Sequence, residues 1–432
     1  QLTLEAADEV LSLIEKVDVF RDVKTVGGSG VPLIEMIPAE VETEYLKTVK
    51  RESTGADCSD LSVVYTPLNG TGNIPVRTIL DMIGVKQVAV VKEQELPDGN
   101  FPTCPYPNPE KKEALALGLE LCRKLSGEGK APDLLLATDP DCDRVGIAVR
   151  HKDTSGIEDY RLITGNETGV LLLDYICAVR GESGTGGGSG FHSAKPMPGD
   201  PIAIKTIVTS KMAEKVAKDH GVTMVDVLTG FKFIGEQIGL LEARGEEDRY
   251  IFGFEESYGY LAGAYVRDKD AVNASMLICE MTAYYKKAGK TLVDRLNELY
   301  EKYGYYKNDL MEFTFEGAAG MEKMNGILSA LRADHPARLI DRKVVEIADY
   351  QLSQRRILGG SKTCDLSVGM RPINLPKSDV LEYVLEDGSS IIVRPSGTEP
   401  KLKIYLSAKG SDREESEAII GRLKAELKEI IK

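Results

Sequence analysis

Asp133-Leu134-Leu135-Leu136-Ala137 runs directly into Thr138-Asp139-Pro140-Asp141-Cys142-Asp143-Arg144, and this junction decides how the chain is read. A short apolar run without alternation is what a strand covered on both faces requires, and such strands belong to sheets with helices on each side. Upstream the same texture repeats. Leu61–Tyr65 is apolar, Thr66-Pro67-Leu68-Asn69-Gly70-Thr71-Gly72 is a turn, and Pro75–Ile83 has helical spacing. Val85–Val91 is a second β-branched run, and Pro109–Leu125 reads as a helix with a Pro/Glu-rich start. Strands alternating with helices predict a layered α/β domain.

Downstream a second unit follows the same logic. Helices are expected at Glu167–Arg180, Lys211–His220, Asp270–Ala288 and Leu292–Tyr303, and strands at Ile202–Val208, Met224–Leu228 and Tyr250–Phe254. From about Asn308 the pattern changes. Strand-like Leu310–Phe315 precedes a helix near Gly320–Ala333, then come Val344–Tyr350, Leu381–Leu385, Ser390–Val393 and Leu402–Ala408. A last helix carries Ile419, Ile420, Leu423, Leu427 and Ile430 on one face, with Ser411 and Glu414 spaced as a capping box. This part reads as an α+β domain with an antiparallel sheet. At the other end Leu4, Ala7, Leu11, Ile14 and Val17 recur at helical spacing, so the chain enters on a helix whose apolar face needs a partner. The expected fold class is α/β and multi-domain: two layered α/β domains with mixed sheets, at 47–163 and 164–306, then a C-terminal α+β domain at 307–432. Residues 1–46 precede them and read as part of a longer chain. Gly184–Gly190 reads as a flexible Gly/Ser linker, and its glycines do not fit a dinucleotide-binding pattern.

Composition removes several classes of function. Fifty-four basic against 68 acidic residues give a net charge of −14, which opposes nucleic-acid binding, so an anion must be held by a local site. No apolar run approaches the roughly 20 residues of a bilayer span, and the best, Val170–Ile176, is broken by Asp174. Seven scattered cysteines, never paired as C-x-x-C, suit a reducing, cytoplasmic interior rather than a disulfide scaffold or a zinc site.

Three loops carry chemistry. In the first, Asp139, Asp141 and Asp143 repel one another without a counter-ion and can aim oxygens at one hard divalent cation. An EF-hand is excluded, because Arg144 and Arg150 stand where it needs Gly and Glu. Three ligands in a short loop leave coordination positions open, as a Mg²⁺ that also grips a phosphate requires. In the second, Arg394-Pro395-Ser396-Gly397-Thr398 lies between two strands. Arg394 offers a planar fork, Ser396 and Thr398 hydroxyls, and Gly397 a backbone anion nest; a plain hairpin turn is the alternative. In the third, Glu255-Glu256-Ser257 at a strand end suits the adjacent hydroxyls of a polyol. Lys232 and Lys269 add cationic groups nearby.

As an ordered set these loops resemble those of the α-D-phosphohexomutases, the phosphoglucomutase/phosphomannomutase family, with wording closest to its bacterial phosphoglucomutase branch. Thr66–Gly72, Thr164–Glu167, Gly230–Phe233 and Arg267–Asp270 also look familial. The resemblance implies an enzyme that interconverts sugar 1-phosphates and 6-phosphates through a phosphoserine and a sugar bisphosphate. It implies Mg²⁺ on Asp139, Asp141 and Asp143. Glu255 and Ser257 would read sugar hydroxyls, and Arg394, Ser396, Gly397 and Thr398 would hold the non-reacting phosphate. Lys269 would line the substrate cleft, with Arg144 and Lys232 as candidate catalytic groups. Residues 1–46 would be the tail of a first α/β domain. The family's Ser-His-Asn-Pro phosphoserine loop occurs nowhere in these 432 residues. Two alternatives follow: a Mg²⁺-dependent phosphosugar-binding scaffold without mutase chemistry, or a haloacid-dehalogenase-type phosphatase. The latter reads Asp141-x-Asp143-x-Val145 as its first motif and lacks a matching downstream acidic pair.

Overall fold

A computed structural model describes residues 4–23, 36–153, 155–185, 195–358, 369–396 and 400–431. Helix α1 (Leu4–Ile14) has the expected spacing, but Leu11, Leu13 and Ile14 are more than half exposed. Helix α2 (Ala39–Lys50) buries Leu46 and Val49 against the first layered unit.

That unit contains β1 (Ser62–Thr66), α3 (Asn73–Met82), β2 (Gln87–Val90), α4 (Ala116–Gly127), β3 (Leu134–Thr138), β4 (Val145–Lys152) and β5 (Glu158–Ile163). The sheet order is β2-β1-β3-β4-β5, with β1 parallel to β2 and β3, and β4 antiparallel to both β3 and β5. The acidic turn therefore joins two antiparallel strands. Strand β3 is buried at every position, as its composition requires, and β4 is buried over Val145–Val149 and then surfaces. The helix expected over Pro109–Leu125 begins later: a 3₁₀ turn spans Lys112–Leu115 and α4 follows it. Gly146 explains the difference, because the 109 backbone lies directly over it; a Cβ there would sit 2.7 Å from the Pro109 carbonyl oxygen.

The second unit runs α5 (Gly165–Thr185), β6 (Ile202–Thr206), α6 (Met212–Asp219), β7 (Thr223–Val227), α7 (Phe231–Glu242), β8 (Tyr250–Phe254), β9 (Tyr260–Leu261), α8 (Ala271–Lys287) and α9 (Leu292–Tyr303). Its sheet order is β7-β6-β8-β9; β6 is parallel to both neighbours and β9 returns antiparallel. Gly184 and Thr185 belong to α5, and the rest of the Gly184–Gly190 segment lies outside the described residues. A single core joins the two units, with Leu172 and Ile176 of α5 and Met276 and Cys279 of α8 packed between Val63 of one sheet and Phe252 of the other.

The last unit comprises β10 (Tyr305–Thr314), α10 (Gly317–Ala333), β11 (Arg338–Leu339), β12 (Arg342–Asp349), β13 (Gln354–Ile357), β14 (Gly369–Pro372), β15 (Leu381–Leu385), β16 (Ser390–Pro395), β17 (Lys401–Gly410) and α11 (Arg413–Ile431). Its sheet, β10-β17-β16-β15-β12-β13-β14, is antiparallel at every pairing. It has a core of its own, into which α11 sets Ile419, Ile420, Leu423 and Leu427. The cap of α11 falls one residue beyond the expected one: Asp412 accepts from the Glu415 N–H at 2.8 Å, and the Glu415 carboxylate accepts from the Ser411 N–H at 2.7 Å. At the seam with the second unit, Ile207, Val208 and Leu228 pack on Tyr350, Val380, Ile392 and Tyr405. None of the described helices is long and apolar enough to cross a membrane.

Candidate functional site

The turn between β3 and β4 is built by its own first acid. Asp139 Oδ1 accepts from the backbone N–H of Asp143 at 3.1 Å and of Arg144 at 2.9 Å, and the chain reverses with Cys142 in the left-handed region at φ +59°. The turn is seated from below by Thr66–Gly72: the Thr71 N–H donates to the Pro140 carbonyl at 2.8 Å. Gly70 lies so close that a Cβ would come within 2.3 Å of Pro140 Cα, so no other residue fits there. Asp139, Asp141 and Asp143 each present an oxygen within 4.8 Å of the others. Burial pushes the Asp139 carboxyl up to about 7, against the pull of the Arg144 N–H and with Asp143 and Asp141 adding to the rise. A convergent, mutually repelling all-oxygen set is what a hard divalent cation relieves, so these residues fit one.

The second loop leaves β8 at Phe254 and returns through β9. Tyr258 sits at φ +66°, the Glu255 N–H donates to the Gly259 carbonyl at 2.9 Å, and the Val145 N–H donates to the Tyr258 carbonyl at 3.1 Å. With the Arg144–Gly259 bridge, this stitches the loop to the acidic turn. A Cβ on Gly259 would stand 2.1 Å from Lys269 Cδ, so a larger residue there must displace the Lys269 side chain. Lys269 Nζ in turn pairs with Asp143 Oδ2 at 2.8 Å. Glu255 is buried and accepts the Gly230 N–H at 3.0 Å. Burial and the neighbouring Glu256 push it up to about 7 against the opposing charges of Lys269 and Arg144. Glu256 accepts from the Thr206 hydroxyl at 3.1 Å.

The third loop connects β16 to β17. Arg394 Nη2 donates to the Tyr405 hydroxyl at 3.3 Å, and its buried Nε has no partner among the described residues, an orphaned donor of the kind an anion satisfies. The Ser396 N–H donates to the Lys401 carbonyl at 2.7 Å. Gly397 and Thr398 lie outside the described residues.

A cleft of about 840 Å³ is lined by residues of these loops: Arg144, Glu255, Ser257, Lys269, Arg394 and Ser396. The three aspartates adjoin it through Arg144 and Lys269. Lys232 is exposed, with Nζ 5.0 Å from the Phe233 ring centre, and is not part of this lining. Glu110, Lys111, Asn308, Lys403 and Tyr405 also face the cleft, and the sequence reading named none of them as site residues. For Glu110 and Lys111 a signal existed in Pro107-Asn108-Pro109-Glu110, whose two prolines argue for a loop; Asn308, Lys403 and Tyr405 come from strands that carry no motif.

Residues 43–153, 164–303 and 338–420 match the profiles described as phosphoglucomutase/phosphomannomutase α/β/α domain II, α/β/α domain III and C-terminal domain. The phosphoglucomutase of Staphylococcus aureus strain COL is 35% identical over 410 residues, 95% of this chain and 68% of that protein. The phosphoglucomutase of Staphylococcus saprophyticus is 35% identical over 377 residues, 87% of this chain and 62% of its own length. The chain thus spans between three fifths and about two thirds of the length of these relatives. Among solved structures, a putative phosphomannomutase from Thermus thermophilus superposes with a TM-score of 0.58 at 16% identity, over 90% of this chain and 66% of that one. Parafusin from Paramecium, a phosphoglucomutase in an open form, gives 0.58 at 18% identity, over 91% of this chain and 62% of that one. At such identities the superpositions establish the shared fold.

Proposed function

Because the chain belongs to the phosphoglucomutase/phosphomannomutase family, we propose that it carries the cation, sugar and remote-phosphate sites of a hexose-phosphate mutase. Its substrates are then a sugar 1-phosphate, the matching 6-phosphate and the bisphosphate between them. One observation carries this reading: residues from three separate parts of the chain line a single cleft, among them Arg144, Glu255 and Arg394, and Asp139 and Asp143 of the acidic turn pair with its Arg144 and Lys269.

In this reading Asp139, Asp141 and Asp143 hold Mg²⁺, which when bound offsets charge on the phosphoryl group in transit. The chain's own residues do the rest. Arg144 and Lys269 stand beside the acidic turn and face the same phosphoryl oxygens, whereas Lys232 lies outside the cleft lining. Glu255 and Ser257 bond adjacent sugar hydroxyls, which replace the water that burial has removed from Glu255. Arg394 and Ser396, with Gly397 and Thr398, take the phosphate that does not react. Because the bisphosphate must present either end, this clamp reads phosphate rather than sugar.

A phosphoryl carrier is also needed, and the absence of a Ser-His-Asn-Pro string favours a second reading for these 432 residues taken alone: binding of Mg²⁺ and sugar phosphate without turnover. A coupled assay of glucose 1-phosphate conversion, run beside calorimetric titration with glucose 1,6-bisphosphate, separates the two. Turnover that Asp141→Ala abolishes and Arg394→Ala slows mainly through KM supports the mutase. Binding without turnover supports the scaffold. A chain that neither turns over nor binds defeats both.

A further inference from the structure

Arg144 is where the charges of the acidic turn compete. Its Nη1 donates to Glu110 Oε1 at 2.9 Å, while its Nε stands 3.8 Å from Asp139 Oδ2 and 3.6 Å from Asp143 Oδ1. A charge-assisted bond closes to about 2.8 Å, so the guanidinium is held roughly 1 Å short of two carboxylates that lie within its reach. Glu110 is in a position to hold it there. The Glu110 N–H donates to Asn108 Oδ1 at 2.9 Å, the Lys111 N–H to the Asn108 carbonyl at 2.9 Å, and the 109 backbone rests on Gly146 of β4. The carboxylate thus projects from a fixed turn that is anchored to the strand carrying Arg144 into the sheet.

We propose that Glu110 is a positioning residue that holds the Arg144 guanidinium off Asp139 Oδ2 and Asp143 Oδ1, leaving those two oxygens for a divalent cation while the arginine stays beside it. This rests on the reading of the three aspartates as a Mg²⁺ site. Without the Glu110 carboxylate, the nearest anionic acceptors for Arg144 are the aspartates themselves. Closing the remaining gap would place five-donor, permanently charged guanidinium nitrogens on the lone pairs that a cation needs. The arginine would then compete for the site instead of flanking it.

A simpler effect must be separated from this one, because Glu110 also adds negative charge that attracts any cation. The two differ in whether Arg144 matters, which a double-mutant cycle measures. Mg²⁺ is titrated calorimetrically into the wild-type chain, Glu110→Gln, Arg144→Met and the double variant, with melting of each metal-free protein as the check on folding. The expected result is Mg²⁺ binding weakened about tenfold in Glu110→Gln, tightened in Arg144→Met, and changed less than about threefold by Glu110→Gln once Arg144 is Met. If Glu110→Gln does not fold, Glu110→Asp, which keeps the charge and shortens the reach, enters the same cycle. Equal losses with and without Arg144 overturn the positioning role and leave the metal site standing. A wild-type chain that takes up no Mg²⁺ overturns both.

Discussion

Glu255 at the end of β8 and Glu382 in β15 are buried alike, 5% and 4% exposed, and burial pushes both carboxyls upward; yet Glu255 is carried to about 7 while Glu382 is held at about 2. Their surroundings explain the split. Around Glu382 stand Lys211 Nζ at 3.0 Å, Arg355 Nη2 at 3.5 Å and the Tyr350 hydroxyl at 3.1 Å. Glu255 accepts one backbone N–H and has a second glutamate beside it. Asp139 sits as Glu255 does, raised by burial with like charges as neighbours. At the seam between the second and third units the chain supplies its own counter-charges. At the cleft the cations Arg144 and Lys269 are engaged by Glu110 and Asp143, and Glu255 makes no ion pair of its own among the described residues, so it keeps a demand that sugar hydroxyls would meet. Sites that bind are expected to give up stability in this way.

The strongest test of the comparison is Glu382→Ala, which leaves Lys211 and Arg355 facing an apolar gap. Breaking such a pair costs about 3 kcal/mol, the low end of the usual range because Lys211 and Arg355 keep 26% and 33% of their side chains exposed. Urea unfolding at pH 7 reads it, and a loss below about 1 kcal/mol would remove the contrast. The pH dependence has a definite sign. The folded value lies below the usual 4.5, so Glu382 contributes fully above that value, and the wild-type advantage shrinks as pH falls toward 2.

Glu255→Gln tests the other side and should act in the opposite direction. Its folded value lies above the unfolded one, so the stability it contributes is complete below about pH 4.5 and is lost as pH rises through 7. The neutral amide still accepts the Gly230 N–H and escapes that penalty. The ligand-free variant should therefore be up to about 3 kcal/mol more stable than wild type at pH 8 and no different at pH 4.5, by urea unfolding at each pH. A gain of equal size at both values would show that shape, not charge, sets the cost.

How far such contrasts can be read in advance is shown by two helices. Leu11 and Ile14 of α1 and Leu423 and Leu427 of α11 recur at helical spacing, and both segments are helical. The second pair is buried and the first is more than half exposed. Periodicity reports a face, and tertiary structure decides what covers it. Tyr250–Phe254 and Leu292–Tyr303 were legible to the residue, the first because a run of apolar residues is a local signal, and the structure adds a Thr291 capping box at the start of the second. The start of α4 was not: Pro109 and Glu110 look like a helix entry, whereas Gly146 beneath them and Arg144 beyond them hold a loop. Strands β4 and β5 escaped because β4 is buried only over its first half and β5 begins exposed, leaving no clean alternation. The candidate loops could be found from residue type alone. The counter-charges that distinguish Glu382 from Glu255 could not, since Lys211 lies 171 positions from Glu382.

The finest test takes the seam apart without touching a charge. Tyr350→Phe removes the hydroxyl that donates to Glu382 Oε2 at 3.1 Å and leaves the ring packed among Val208, Val380 and Ile392. If Lys211 and Arg355 hold the carboxylate, losing one neutral donor costs about 1 kcal/mol, and the acid wing of the stability profile keeps its position. If the hydroxyl is what holds it, the loss approaches that of Glu382→Ala and the wing moves toward pH 4.5. The same substitution beside an uncompensated acid would behave differently, because there a single donor is a large share of what the carboxylate has. Urea unfolding of Tyr350→Phe at pH 7 and at pH 3 therefore measures how much of the seam's advantage comes from charge.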